Sequence, residues 1–293
     1  MTHNRTGTAR RSNAAAATAI LIALSACGGT ASSAEPPAKQ AARAVAPAPR
    51  SSAVAFDGAS SVGVLIDRDG EHFCTASVVD SPKGNVVATA AHCIQDAGGE
   101  PDHEPGELRF APEFSGNGNG NATNKDQGRT SAKAKGVYPY GQWKVGSVHI
   151  DDRWTDDADD ADAADYAFLT LEPDPKGRQV QQVVGAAKPD WESEADRRVT
   201  VVGYPNQAHN PANRPVACTT DTRPDPESPE ILLMECAGFW EGTSGAPWLA
   251  DYRDAQHQGR LIGVLSGGDT DRESTAALFD AKARDLYEQA AGQ

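Results

Sequence analysis

The stretch Glu241-Gly242-Thr243-Ser244-Gly245-Ala246-Pro247-Trp248, EGTSGAPW, sets one serine between two glycines and just ahead of a proline. The proline rules out a continuing helix, and the glycines permit unusual backbone angles and a close approach by another chain, so Ser244 sits on a turn. A turn serine becomes a nucleophile only if a base takes its proton and a carboxylate orients that base. Both are available upstream. Thr89-Ala90-Ala91-His92-Cys93, TAAHC, follows the apolar run Asn85-Val86-Val87-Ala88, and its small residues let the backbone pass close to other elements while delivering His92 at a strand end. Asp165-Tyr166-Ala167-Phe168-Leu169, DYAFL, puts a carboxylate at the mouth of a strand.

Around these segments the chain is a series of short β-rich runs separated by turn residues: SVGVLI, FCTASVV, NVVATAA, KVGSVHI, YAFLTL, RVTVVGYP, ILLMECAGF and RLIGVLSGG. Such spacing predicts an all-β sandwich or barrel. No long amphipathic helical pattern alternates with the strands, which excludes a doubly wound α/β sheet. Only the end, TAALFDAKARDLYEQAAGQ, has helical spacing, with Leu278, Ala281, Leu286 and Ala290 as its expected buried face. Residues 116–128, GNGNGNATNKDQG, have no apolar face and read as a surface loop. The acidic run DDADDADAAD at 156–165 reads as a solvated loop; a calcium loop of the EF-hand type would need a glycine at its sharp turn and a terminal glutamate, both absent.

The beginning of the chain assigns a compartment. Arg5, Arg10 and Arg11 precede the apolar run AAAATAILIALSA, so residues 1–26 read as a secretory signal. The run is shorter than the ~20 residues a spanning helix needs. Leu24-Ser25-Ala26-Cys27 resembles a bacterial lipobox, which implies cleavage before Cys27 and acylation there. Two or more acyl chains give stable anchoring to the outer face of a membrane. An ordinary cleaved signal with an incidental Cys27 is the alternative. Residues 27–55 are rich in Ala, Pro and Ser and read as a tether, leaving 56–293 as the folded domain. With Cys27 assigned to lipid, Cys74, Cys93, Cys218 and Cys236 remain, and four cysteines allow three pairings. Near-neighbour pairing is the simplest, closing loops of roughly twenty residues for about 3 kcal/mol each. The formal net charge is -14, and loss of the signal, with three arginines and no acid, makes it -17. Nucleic acid is therefore excluded as a partner on charge.

TAAHC, DYAFL and GTSGAP, in the order His, Asp, Ser, resemble the signature segments of the chymotrypsin-like (trypsin-fold) serine peptidases, and Gly263-Val264-Leu265-Ser266-Gly267-Gly268 resembles the strand those enzymes use to bind substrate backbone. The resemblance spans roughly Val62 to Leu286, and Val201-Val202-Gly203-Tyr204-Pro205 tilts it toward the bacterial glutamyl-endopeptidase-like branch. It implies two packed six-stranded antiparallel β-barrels, the first over about 56–150 and the second over 151–293 with the C-terminal helix. It further implies His92 as general base, Asp165 as its orienting carboxylate, Ser244 as nucleophile, and the backbone N–H groups of Gly242 and Ser244 as an oxyanion hole. Cys74 and Cys93 match the bridge that pins the histidine loop. Protein or peptide substrates and no cofactor or metal are implied. An α/β-hydrolase elbow would need glycine where Ala246 stands, and a histidine later in the chain than His257.

Two departures sharpen the expectation. Where animal digestive members carry an aspartate before the nucleophile to pair with a new amino terminus, this chain has Thr243, so no such activation switch is expected. The trypsin-like pocket floor is an aspartate, and here that position is Gly238. With Phe239, Leu265 and Gly268 beside it, the pocket is expected to take an apolar or small side chain. The alternative of a different class is an inactive peptidase-fold module that binds partners at the cell surface.

Overall fold

The computed structural model describes residues 51–116, 136–155, 161–268 and 270–293. The predicted signal, Cys27, most of the tether, nearly all of the Gly/Asn loop and the first half of the acidic run lie outside the described residues.

Two closed six-stranded antiparallel barrels make up the domain. The first holds β1 (Val62–Ile66), β2 (His72–Val79), β3 (Val86–Thr89), β4 (Arg109–Pro112), β5 (Trp143–Ile150) and β6 (Ala167–Leu171), and the second β7 (Arg198–Gly203), β8 (Val216–Pro224), β9 (Ile231–Ala237), β10 (Pro247–Ala250), β11 (Arg260–Leu265) and β12 (Glu273–Leu278). The first closes in the order β1-β2-β3-β6-β5-β4, the second in the order β7-β8-β9-β12-β11-β10. The topology is therefore the same twice, although no repeat is visible in the sequence.

The first barrel runs to Leu171 and not to about residue 150, because β6 pairs with both β3 and β5 and closes the ring. The tether is likewise shorter than expected. Ser51–Ser52 pair in parallel with Cys236 and Ala237, and Val54–Ala55 pair with β8, so residues 51–55 extend the second sheet.

Most of the expected strand runs are buried on both faces and so read as continuous apolar stretches, whereas in KVGSVHI only Val145 is buried. Leu65, Val78, Val87, Phe110, Val145 and Leu169 fill the first barrel. Val64, Ile66, Val202 and Tyr204 point the other way and pack between the barrels. Tyr166 and Phe168, alternating with the inward Ala167 and Leu169, pack with Phe279 and the helix residues Ala283, Leu286 and Ala290.

That helix covers Ala281–Gly292, with Asp280 capping it by accepting from Ala283 N at 2.8 Å. The expected face holds for Leu286 and Ala290, but Ala281 is exposed and Ala283 takes its place. Leu278 belongs to β12. The segment Glu273–Leu278 is paired on one side with β9 and on the other with β11. Ladder bonds to two neighbours outweigh the weak helix preference of its alanines. Cys74 is bonded to Cys93 and Cys218 to Cys236, the near-neighbour pairing.

Candidate active site

His92 lies in a single turn of 3-10 helix, Ala91–Cys93, immediately after β3. The turn packs closely on the second barrel, which requires the glycine after Ser244: a Cβ on Gly245 would stand 2.2 Å from Thr89 Oγ1 and 3.0 Å from Ala90 N. The Cys74–Cys93 bond ties the end of this turn to β2. Asp165 follows the short turn Ala161–Ala164 and precedes β6, so the closure of the first barrel brings it to His92 across 73 residues of sequence.

Asp165 is 1% exposed. Its Oδ1 accepts the backbone N–H of His92 at 2.9 Å, and its Oδ2 faces His92 Nδ1 at 2.7 Å. Ser266 Oγ donates to the same Oδ2 at 2.5 Å. A buried carboxylate with three donors is satisfied where it stands, and the pair of contacts to His92 fixes both the position and the tilt of the ring. Burial of the imidazole pulls its pKa down; the hydrogen bond and charge of Asp165, with a further contribution from the charge of Asp102, outweigh this, and the value is raised above the ordinary 6.5.

Ser244 is held in its turn by backbone contacts. Its carbonyl accepts from Thr75 N at 2.8 Å, and the N–H of Gly245 donates to Leu265 O at 2.7 Å, next to Ser266. The N–H groups of Thr243 and Ala246 also donate within the second barrel. Among the described residues those of Gly242 and Ser244 have no acceptor. Both N–H groups lie on the one tight turn that carries Ser244.

Three threonine contacts shape this turn and had no signal in the sequence, because their partners are distant or main-chain. Thr75 Oγ1 donates to Gly242 O at 2.9 Å and accepts from Tyr204 N at 3.0 Å. Thr243 is buried, and its Oγ1 donates to Trp240 O at 2.7 Å. Where an aspartate would need a cationic partner, the threonine hydroxyl is satisfied locally.

Beyond Ser266 the chain is open: Gly267 and Gly268 are exposed. Ser266 N and Gly267 O are engaged with Thr275, whereas Ser266 O and Gly268 N have no partner among the described residues. Phe239 and Leu265, expected as pocket walls, are 9% and 4% exposed and belong to the second-barrel core. The Cβ side of Gly238 faces Ala53, at 3.2 Å.

Two barrels of this topology, with a histidine and a buried carboxylate from the first and a serine turn from the second, define a class of hydrolase scaffold. A model of the trypsin-like peptidase domain matches residues 63–264, and the chain belongs to that family. The fold is similar to that of the protease Anisep from Arthrobacter nicotinovorans, with a TM-score of 0.65 at 18% identity over 82% of this chain and 99% of that one. It is also similar to the thermostable serine protease AL20 from an extremophilic microorganism, at 0.63 and 24% over 80% and 98%. A Glu endopeptidase solved with MPD gives 0.58 at 13% over 83% and 98%. No match is found among curated proteins.

Proposed function

We propose that the protein is an exported serine endopeptidase, anchored to the outer face of a membrane through acylated Cys27, that cleaves peptide bonds through an acyl-enzyme on Ser244. His92 is the general base and then the general acid. Asp165 holds it in the tautomer with Nδ1 protonated and stabilises the imidazolium that forms, while the N–H groups of Gly242 and Ser244 receive the developing oxyanion. Ser266 steadies Asp165, and Ser266, Gly267 and Gly268 offer the substrate an open edge. The observation that carries this reading is the buried Asp165 joined to His92 at 2.7 Å beside a serine turn with two free N–H groups.

The two disulfides fit an oxidising, extracellular setting. Among the described residues no helix is long and apolar enough to cross a membrane, so the lipid is the proposed anchor. No activating cleavage is needed, because Thr243 replaces the charged switch and the uncut residues 51–55 are already part of the second sheet. With no charge at Gly238, an uncharged side chain precedes the scissile bond.

The test is covalent labelling by a fluorophosphonate probe. Labelling at Ser244 that is abolished in Ser244→Ala and in His92→Ala supports the peptidase. Absence of labelling in well-folded protein overturns it in favour of the inactive binding module. Loss of Ser244 should lower turnover by about 10⁶-fold. Metabolic labelling with palmitate, lost in Cys27→Ser, tests the anchor.

A further inference from the structure

An open cleft of about 890 Å³ lies on the first barrel, between the loop that follows His92 and the loop that follows β5. Its floor is apolar. Ile94 is buried, and Val148 and Ile150 pack half-buried on the first-barrel core. Trp154 forms one wall; its indole N–H donates to Gln95 O at 3.1 Å, which fixes the ring, and its centroid is 6.4 Å from that of His92. The cleft therefore lies close to His92, with Trp154 between them.

The rim is acidic. Glu104 and Asp152 line the cleft, are exposed and make no ion pair among the described residues. Asp151 also lines it, but its charge is committed: both oxygens accept from Arg153, and Tyr166 donates to Oδ2 at 2.7 Å. No lysine or arginine is among the lining residues.

We propose that this cleft binds a lysine or arginine side chain of the polypeptide substrate, at a position other than the one that enters the site beside Gly238. The chemistry is complementary on three counts. A long basic side chain lays its methylene stem on apolar surface and keeps its charge at the wet rim. Its cation is attracted by an indole and by unpaired carboxylates together. A chain of net charge -14 draws cationic segments and repels acidic ones at low ionic strength. The assignment rests on the peptidase reading for the identity of the occupant, though not for the binding itself.

The test uses the full-length Ser244→Ala variant, so that no peptide is consumed. Three Ala/Ser heptapeptides carrying a single central lysine, norleucine or glutamate are titrated at low salt, with tryptophan fluorescence and calorimetry as readouts. The lysine peptide should bind about fivefold more tightly than the norleucine peptide, with the advantage lost at high salt. Joint Glu104→Gln and Asp152→Asn substitution should reduce lysine binding to the norleucine level in a variant whose circular dichroism is unchanged. Trp154→Phe should remove the fluorescence response. Equal binding of lysine and norleucine, a lysine advantage that survives the joint substitution, or no binding of any peptide overturns the proposal. Fluorophosphonate labelling of the unsubstituted protein is read separately. Labelled protein without lysine preference rejects the cleft alone, whereas lysine preference without labelling rejects the peptidase reading alone.

Discussion

Gly242→Ala is the substitution on which the proposed oxyanion geometry can be judged most directly. Gly242 has φ +93°, and a Cβ added there would stand 2.7 Å from Tyr204 O and 2.9 Å from Asn206 N. Both are main-chain atoms of a segment that is itself tied down, Tyr204 N to Thr75 Oγ1 at 3.0 Å and Asn206 N to Glu241 O at 2.6 Å. Real carbon contacts do not fall below 3.0 Å, so the turn must shift by several tenths of an ångström and carry the Gly242 N–H with it. Misplacing one oxyanion donor costs on the order of 10²–10³ in rate, about 3–4 kcal/mol at the transition state. The left-handed backbone adds about 1–2 kcal/mol of strain to the folded state, which for a domain of this size lowers Tm by about 2–8 °C. Activity should therefore fall far more than stability.

The assay needs no known substrate: the second-order rate of fluorophosphonate labelling at Ser244, followed by mass spectrometry, is compared with thermal unfolding of the same preparation. A folded Gly242→Ala protein that labels within about threefold of the parent would show that this N–H receives no developing charge.

Two further outcomes are expected. The proposed mechanism needs neutral His92, whose pKa is raised by Asp165 and Asp102 over the opposing effect of burial, so the acid limb of the labelling rate should lie above pH 6.5. Asp102→Asn should move that limb down; a limb below 6.5, or one that ignores Asp102, contradicts the electrostatics. The same raised value makes protonated His92 a stabilising group below its unfolded-state pKa, and this contribution is lost as pH rises through the folded one.

The second concerns Asp151, whose burial raises its pKa but whose hydrogen bonds from Arg153 and Tyr166 bring it to about 2 from 3.8. A depressed carboxylate stabilises the fold above its unfolded value, and that contribution disappears as pH falls through about 2. Tyr166→Phe should cost on the order of 1 kcal/mol at neutral pH. Urea denaturation across pH should show the gap to the parent narrowing below pH ~4; a gap that is constant with pH would place the loss in packing.

Much of the candidate site was legible in the sequence because its three principal side chains are each embedded in a short local pattern. TAAHC, DYAFL and GTSGAP each require small or glycine residues at fixed neighbours, and the structure supplies the reason for one of them, the contact of Gly245 with Thr89 and Ala90. The strands without a mark in the sequence are those whose local pattern is weak. β4 is four residues ending in proline, β8 alternates buried with exposed polar residues, β10 begins at the proline of the serine turn, and β12 has the alanines of a helix. Each is held by neighbours on both sides, and pairing across a barrel leaves no mark at short range.

The chain by itself determined the all-β class, the export signal as an expectation, and the order of histidine, aspartate and serine, since periodicity, composition and local turn chemistry are properties of neighbours in sequence. Tertiary structure decided what depends on distant partners. It extended the first barrel to Leu171, drew residues 51–55 into the second sheet, turned Phe239 and Leu265 into the core, and made Ser266 a donor to Asp165 across 101 residues. The physical reason is barrel closure: which strands meet when a sheet rolls up is set by the summed burial of both its faces, and no segment carries that information alone.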